Sequence, residues 1–600
     1  MYSPKFPLKI ADLRKVIGAT QLKIVWKAQV RDAMRKQPIP DPLENLDFHV
    51  RLDANCAAIE AEICSASYAP RQPLRFLAEK SKGLCRQLVV PTAKDALVLQ
   101  ALSNAIWNEV KLQAPSKKSF YAPADHSFSK IIKGQTAEYG SLSAWLAFQQ
   151  TIFGFTETKK FLVVTDIANY YDFISYEHLR NVLASLSVVK EHALDLLIYT
   201  LSSMLWQPDY MPRVPIGLPQ MNLDAPRLLA HCFLFEVDKL LESIPNADFA
   251  RFMDDIDIGV DTISEAREII RNLDLALQTR QLRLNSGKTR ILTEIEARKH
   301  FKIRENEWLS ALSDRIAAKR KTKSSIFNER RKIEIGIRVG LKRGAFSSGN
   351  GDKVLKRLLN LARDTSAQIS DEDFSLILAN WPSLRHALLQ WWQAHTSPAL
   401  KLNLLTQILQ DGHLVDDASL VEIASAIVAA RLPDNSWVRG HIKQTLSGLG
   451  SSSIWSLYAQ IWVASKYSSN DELMAIIETK ASMWGSNEHL TRLVAGMFSR
   501  FVGCPLQPKF EAILRKAGGF AASSVTQFHH ELANTVAGFT AIRKFIVAHN
   551  TSLPNRISHA KFLMLLSLLR NAGIAPVAVT QLKTIHAVAL TDPFYAHLAP

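Results

Sequence analysis

The sequence predicts a mixed α and β domain followed by an all-α region, on three observations. Before about residue 345, helical patterns alternate with short β-branched runs such as RQLVVP (86–91) and FLVVTD (161–166), the mark of strands interleaved with helices. After about residue 350 strand signals fade, and helical stretches follow one another, separated by the Pro, Gly, Asn or Asp that cap and stop helices. Charge changes at the same place. Residues 298–343 hold fifteen Lys or Arg against five Asp or Glu, a net +10 of the chain's +16, whereas from 366 onward eighteen basic and fifteen acidic residues nearly cancel.

In order along the chain, residues 1–70 are expected to form a helical extension and 71–297 the mixed domain. Residues 298–350 form a basic connecting segment, read either as a phosphate-binding stripe, with Lys319, Arg320, Lys321 and Lys323 at its centre, or as a solvated helix face. Residues 351–600 are expected to be all helical. FSLILANWPSLRHALLQWWQ, LVEIASAIVAARL, SIWSLYAQIWVASKY, HLTRLVAGMFSRFV and KFLMLLSLLRNAG succeed one another without a fixed period, which suggests an irregular, HEAT-like α-solenoid.

The 72 Lys and Arg against 56 Asp and Glu favour a polyanionic partner, nucleic acid first and an acidic membrane second. Cys56, Cys64, Cys85, Cys232 and Cys504 are scattered with no C-x-x-C pair, so neither a zinc site nor a disulfide framework is indicated. The first residues lack an apolar core of signal-peptide length, and FLMLLSLL (562–569) is too short for a membrane span and reads as a buried helix. The expectation is a soluble cytoplasmic protein with no membrane partner.

Chemistry enters at RFMDDIDIGV (251–260), where Asp254 and Asp255 interrupt an apolar, strand-like run. The stretch reads as strand, tight turn, strand, with both carboxylates at the turn. Asp is a common turn residue, but unpaired buried carboxylates are costly, and a divalent cation would neutralise them. Mg²⁺ takes hard oxygen ligands, commonly one or two carboxylates with substrate phosphates. A third carboxylate is expected from Asp166, at the end of the run FLVVTD. Two metals in such a cluster suit nucleotidyl transfer.

The order of motifs over roughly residues 70–295 resembles the reverse transcriptases. EKSKGLCRQLVVPTAKDALVLQAL looks like their fingers, TDIANYYDF like motif A, IGLPQMNLDAPRLLAH like motif B, FMDD is motif C and LRLNSGKTRIL looks like motif D. The resemblance implies a right-hand-like α+β polymerase, with fingers and a ferredoxin-like palm. It implies that two Mg²⁺ ions, with Mn²⁺ as an alternative, are held by Asp166, Asp254, Asp255 and the Ile167 carbonyl. Arg86 and Lys80 would clamp a deoxynucleoside triphosphate, although Arg86 also suits a surface salt bridge. Lys288 would stand near the pyrophosphate as a proton donor, or be a solvated loop lysine. Tyr171 would lie under the sugar and exclude a 2′-hydroxyl. Two alternatives stay open there: Asp172 accepts a hydrogen bond from that hydroxyl, or Tyr171 is plain core.

One departure is Met221, followed by Asn222 and Asp224, where the family has glycine after LPQ. Its side chain is expected to fill space beside the nucleotide and compromise faithful copying, while Gln220 is retained for nucleotide or template. A palm followed by helical repeats most resembles the bacterial abortive-infection and defence polymerases, the AbiK-like reverse transcriptases. That resemblance implies antiphage defence, DNA synthesis that is untemplated, protein-primed or copied from a small noncoding RNA, homo-oligomers and a companion defence protein. Ser452, Ser453 and Tyr458 are candidate exposed hydroxyls for attachment of product. A retroelement-type RNA-directed DNA polymerase, or a nucleic-acid-binding scaffold with an inactive palm, are the competing readings.

Overall fold

The computed structural model describes residues 6–121, 140, 142–186, 190–208, 210, 212, 214–245, 248–395, 397–412, 414–450, 453–534, 545, 557–570 and 586–598. Its described strands are β1 (Phe76–Ser81), β2 (Leu84–Leu88), β3 (Phe161–Thr165), β4 (Asp248–Phe252), β5 (Asp255–Val260) and β6 (Arg290–Thr293); the rest of the regular structure is helical. The chain divides into two compact units.

The first unit comprises Met1–Gln37, Arg51–Arg75 and Leu88–Glu307. Its sheet has the order β4-β5-β3-β6 with every pair antiparallel. Helices lie between β3 and β4 and between β5 and β6, so the unit is a β-α-β-β-α-β arrangement. One face is covered by the helix Leu142–Thr158, whose Phe148, Ile152 and Phe155 pack on Leu162, Ala250 and Leu292. The helix Ile263–Gln278 packs on β3 and β5 through an apolar face of Ala266, Ile269, Leu273 and Leu277. That spacing follows the helical period. Thr262 starts the helix by accepting from the Glu265 amide while the Glu265 carboxylate accepts from the Thr262 amide, a reciprocal capping box.

The second unit comprises Pro38–Val50, Phe76–Gln87 and Trp308–Pro600. The division therefore falls inside the helix Ile303–Lys321, and two early segments join the later residues instead of the mixed domain. Long-range polar contacts explain why. Arg492 donates to Asp41 (2.7 and 3.1 Å) and to Asp47 (2.7 and 3.0 Å). The Leu77 amide donates to Asp417 (2.9 Å), the buried Arg385 pairs with Glu79 (3.0 Å), and Phe76 meets Trp455 edge-on at 5.0 Å. The hairpin turns at Lys82 and Gly83, both at positive φ (52° and 79°), which suits a two-residue turn.

Beyond residue 350 the helices stack in two alternating layers. Gly351–Thr365, Arg385–Ala394, Asp417–Ala429 and Ile454–Tyr467 pack successively in one; Asp371–Asn380, Leu402–Gln410 and Ser436–Leu449 do so in the other. This is the architecture of a helical repeat array. The run FSLILANWPSLRHALLQWWQ is two helices, because Pro382 follows Trp381 and cannot continue the first. The apolar run 562–569 is a buried helix, His559–Leu569. No described helix is long and apolar enough to cross a membrane.

Candidate active site

The site forms at the edge of the sheet where β3 ends. Thr165 is the last β3 residue paired with β5, opposite Ile256, so Asp166 emerges beside the β4–β5 turn. That turn is tighter than the sequence suggests: Phe252 pairs with Asp255, leaving Met253 and Asp254 as its two residues, and Asp255 already belongs to β5. Met253 sits at φ 60°, a left-handed conformation that costs a bulky residue about 1–3 kcal/mol. The surroundings impose it. Arg251, fully buried, donates through its guanidinium to the Met253 carbonyl (2.9 Å) and to both Asp238 oxygens (2.6 and 2.5 Å). Burial alone would lower the pKa of this guanidinium, but Asp238 reverses the shift and keeps it charged.

Lys288 arrives on a loop lashed to the end of β3. The Asn285 amide donates to the Asp166 carbonyl (2.8 Å), the Ala168 amide to the Arg283 carbonyl (2.9 Å), and the Thr165 and Thr289 hydroxyls hydrogen-bond at 2.7 Å. The Lys288 ammonium consequently forms an ion pair with Asp166 Oδ2. Asp166 Oδ1 is buried with no hydrogen-bond partner. Asp254 is half-buried and its pKa is pushed up to about 6, by burial first, then by Asp255 and Asp166, against the pull of Lys288. Asp255 is exposed and Ile167 buried, bridging Leu284.

A carboxylate whose charge is disfavoured by burial and by two neighbouring acids, beside one orphaned buried carboxylate oxygen, fits a divalent cation. Among the described residues no three His, Cys, Asp or Glu side chains already form a metal cage. Mg²⁺ takes few protein carboxylates and completes its shell with water and substrate phosphates.

Beside the carboxylates, two segments run together. The Leu218 amide donates to the Tyr171 carbonyl (2.7 Å) and the Gly217 amide to the Ile174 carbonyl (2.9 Å). Gly217 lies at φ +102°, a conformation that requires glycine. Gln220 Nε2 donates to Asp172 Oδ1 (3.1 Å), so Asp172 and Gln220 act as a pair. Tyr171 is half-buried, edge-on to Tyr170 at 5.8 Å.

Several expectations change. Met221 is buried (8% exposed), so its side chain fills core space. The loop's outward contact is made by Asn222, which donates to the Lys36 carbonyl (2.9 Å) while its own carbonyl accepts from Gln37 (3.2 Å). Tyr458 is buried, its hydroxyl donating to the Pro40 carbonyl, and so is no exposed attachment point. Ser453 is spent as a helix cap, accepting from the Ser456 amide; Ser452 lies outside the described residues. Lys80 and Arg86 stand exposed on the β1–β2 hairpin, in the second unit. Of the basic quartet, Lys319 pairs with the buried Glu329 (2.9 Å) and Arg320 donates to the Asp364 carbonyl; Lys321 and Lys323 are exposed.

No protein-family model and no curated protein matches the chain. Among solved structures it is similar to telomerase from Candida albicans in complex with a fragment of telomeric RNA, at a TM-score of 0.27 and 11% identity over 66% of this chain and 64% of that one. It is also similar to apo telomerase from Candida tropicalis, at a TM-score of 0.28 and 10% identity over 74% and 69%. The chain thus spans less than two thirds of the first of these. Likeness of this size assigns neither family nor activity.

Sequence reasoning passed over Arg251, Asp238 and Asn285, although the first lies inside the stretch that drew attention to the site. An arginine in a strand otherwise apolar was the available signal, since a charge there needs a buried partner.

Proposed function

We propose that this protein is a nucleotidyltransferase of reverse-transcriptase type that adds deoxynucleotides to a 3′-hydroxyl. The observation that carries the reading is the meeting of Asp166, Asp254 and Lys288 at one edge of a β-α-β-β-α-β sheet, with Asp255 beside them. These residues reach the edge from three separated stretches of the chain, which supports the reading drawn from the reverse-transcriptase resemblance.

Asp166 and Asp254, supported by Asp255 and the Ile167 carbonyl, would hold Mg²⁺. Bound there, the metal would supply Lewis-acid activation of the 3′-hydroxyl and neutralise triphosphate charge. The reaction joins the 3′-oxygen to the α-phosphorus and breaks the bond to pyrophosphate. Lys288 would give a proton to that leaving group. Tyr171, beside the Asp172–Gln220 pair, would pack under the sugar and favour a deoxynucleotide. The same resemblance supports an antiphage role in the manner of abortive-infection polymerases, with oligomers, a companion protein and a small noncoding RNA as template among its features.

The test is incorporation of labelled deoxynucleotides by purified protein with Mg²⁺, against Asp254→Asn/Asp255→Asn. Loss of incorporation in a folded double variant supports the reading, and wild-type rates in that variant reject it. Wild-type protein that binds nucleic acid but incorporates nothing with either Mg²⁺ or Mn²⁺ would favour the scaffold, for which the Lys288–Asp166 ion pair is the supporting observation.

A further inference from the structure

The helix Phe327–Lys342 turns Glu329, Ile333, Ile337 and Leu341 into the second unit. Two glycines fix how it is mounted: a side-chain carbon at Gly336 would sit 3.4 Å from the Trp308 ring and 3.6 Å from Leu358, and one at Gly340 would collide with the Phe346 ring. The opposite face is exposed and carries Arg331, Lys332, Arg338 and Lys342 around Ile335 (51% exposed) and Val339 (37%). Among the described residues, Arg338 alone of these four approaches a carboxylate, Asp373 at 3.9 Å. From Arg331 to Lys342 this ridge runs ~16 Å at 1.5 Å per residue.

We propose that this outward face docks the backbone of single-stranded nucleic acid. Arg331, Arg338 and Lys342 in one row, with Lys332 across from them, supply phosphate contacts. Ile335 and Val339 between them would be poorly matched to phosphates alone, but can lie against the sugars and bases that only an unpaired strand exposes. An acidic membrane is the weaker fit, because the helix's larger apolar face is already buried and cannot insert. The assignment also separates this face from Lys319 and Arg320, whose charges are used within the fold. It goes beyond the proposed polymerase activity and does not depend on it.

The test measures binding of a fluorescein-labelled mixed-sequence RNA of about 20 nucleotides, without self-complementarity, between about 50 and 200 mM salt. The full-length chain is compared with Arg331→Gln/Arg338→Gln/Lys342→Gln. A charge-matched control replaces the exposed Lys239, Arg267 and Arg271 by glutamine. At ~0.7 per lost contact, the outer-face variant should lower the salt slope by up to ~2, weaken binding tenfold or more and melt like wild type. The control should keep the wild-type slope. An unchanged slope in the outer-face variant overturns the proposal, as does an equal loss in the control, which would make net charge the cause. Phosphatidylserine vesicles form the last arm: loss of vesicle binding with intact RNA binding would assign the face to a membrane and overturn the proposal too.

Discussion

The turn that carries Asp254 should depend on the buried Arg251–Asp238 pair more than on any apolar neighbour. Replacing Asp238 by leucine leaves a guanidinium at 0% exposure without its bidentate acceptor, and breaking such a pair from one side costs ~3–5 kcal/mol. Combining Asp238→Leu with Arg251→Met removes both charges, and apolar replacement of a buried pair is often neutral or stabilising by ~1–4 kcal/mol. The double variant still strips the Met253 carbonyl of its donor, at ~1–3 kcal/mol for a buried unsatisfied group. Its stability should therefore lie near wild type, with the left-handed turn no longer held. Global unfolding of a two-unit chain is not two-state, so the assay is hydrogen exchange of peptides covering residues 248–260. Asp238→Leu should speed exchange by at least ~150-fold, the equivalent of 3 kcal/mol, and the double variant should restore most of that protection without restoring nucleotide incorporation. An Asp238→Leu variant within ~0.5 kcal/mol of wild type, the range of an ordinary surface substitution, would refute the reasoning.

Three further outcomes follow from other residues. Tyr171→Ala should raise ribonucleotide use relative to deoxynucleotide use, each tenfold of lost discrimination being ~1.4 kcal/mol in the transition state; equal use of both sugars by wild type in a competition assay would point to Asp172 instead. Because Met221 is buried, Met221→Gly should cost about 2–5 kcal/mol, measured by local hydrogen exchange, without a gain in copying of a supplied template. Burial lowers the His529 imidazole to about 3. It stays neutral in the fold while the unfolded chain binds a proton below ~6.5, so stability should fall with acidity by roughly 2 kcal/mol on reaching pH 5. His529→Phe should flatten that part of the pH–melting curve, and an unchanged curve would count against the assignment.

What the sequence discloses is what short range determines. FLVVTD and DIDIGV become β3 and β5 because β-branched and apolar residues alternate there with little else to satisfy, and the capped helix between β5 and β6 follows from Thr262, Glu265 and a 3.6-residue apolar period. The five helical stretches named beyond residue 350 are interrupted by Pro382 or lie in helices that begin at a polar cap: Asp416, Ser453, Asn487 and Ser558. Partners set by tertiary packing are hidden from this kind of reading. Tyr458 has the composition of an exposed attachment point until Pro40, more than 400 residues earlier, supplies its hydroxyl with an acceptor. Arg492 has a nearer acid in Glu488, four residues earlier on its own helix, and nothing local announces that Asp41 and Asp47 will enclose it instead; those contacts move an early segment into the second unit.

The same distinction applies within the candidate site. Asp166, Asp254 and Asp255 are legible because each lies at a strand end or in the turn beside it, where an acid contradicts its apolar surroundings. Lys288 is placed by backbone bonds from Asn285 and Ala168 and a hydroxyl contact between Thr165 and Thr289, none of which has a pattern in sequence. Its ion pair with Asp166 nevertheless has a consequence for the chemistry. The ammonium on the carboxylate neutralises that charge, and under the proposed function a metal would have to take its place. Lys288→Met should therefore leave Asp166 uncompensated. If the proposed function holds, it should bind Mg²⁺ more tightly by isothermal titration while slowing incorporation, because affinity for the metal and proton delivery to pyrophosphate are separate roles of one side chain. Weaker metal binding together with an unchanged rate would show that the ammonium neither competes with the cation nor takes part in the transfer.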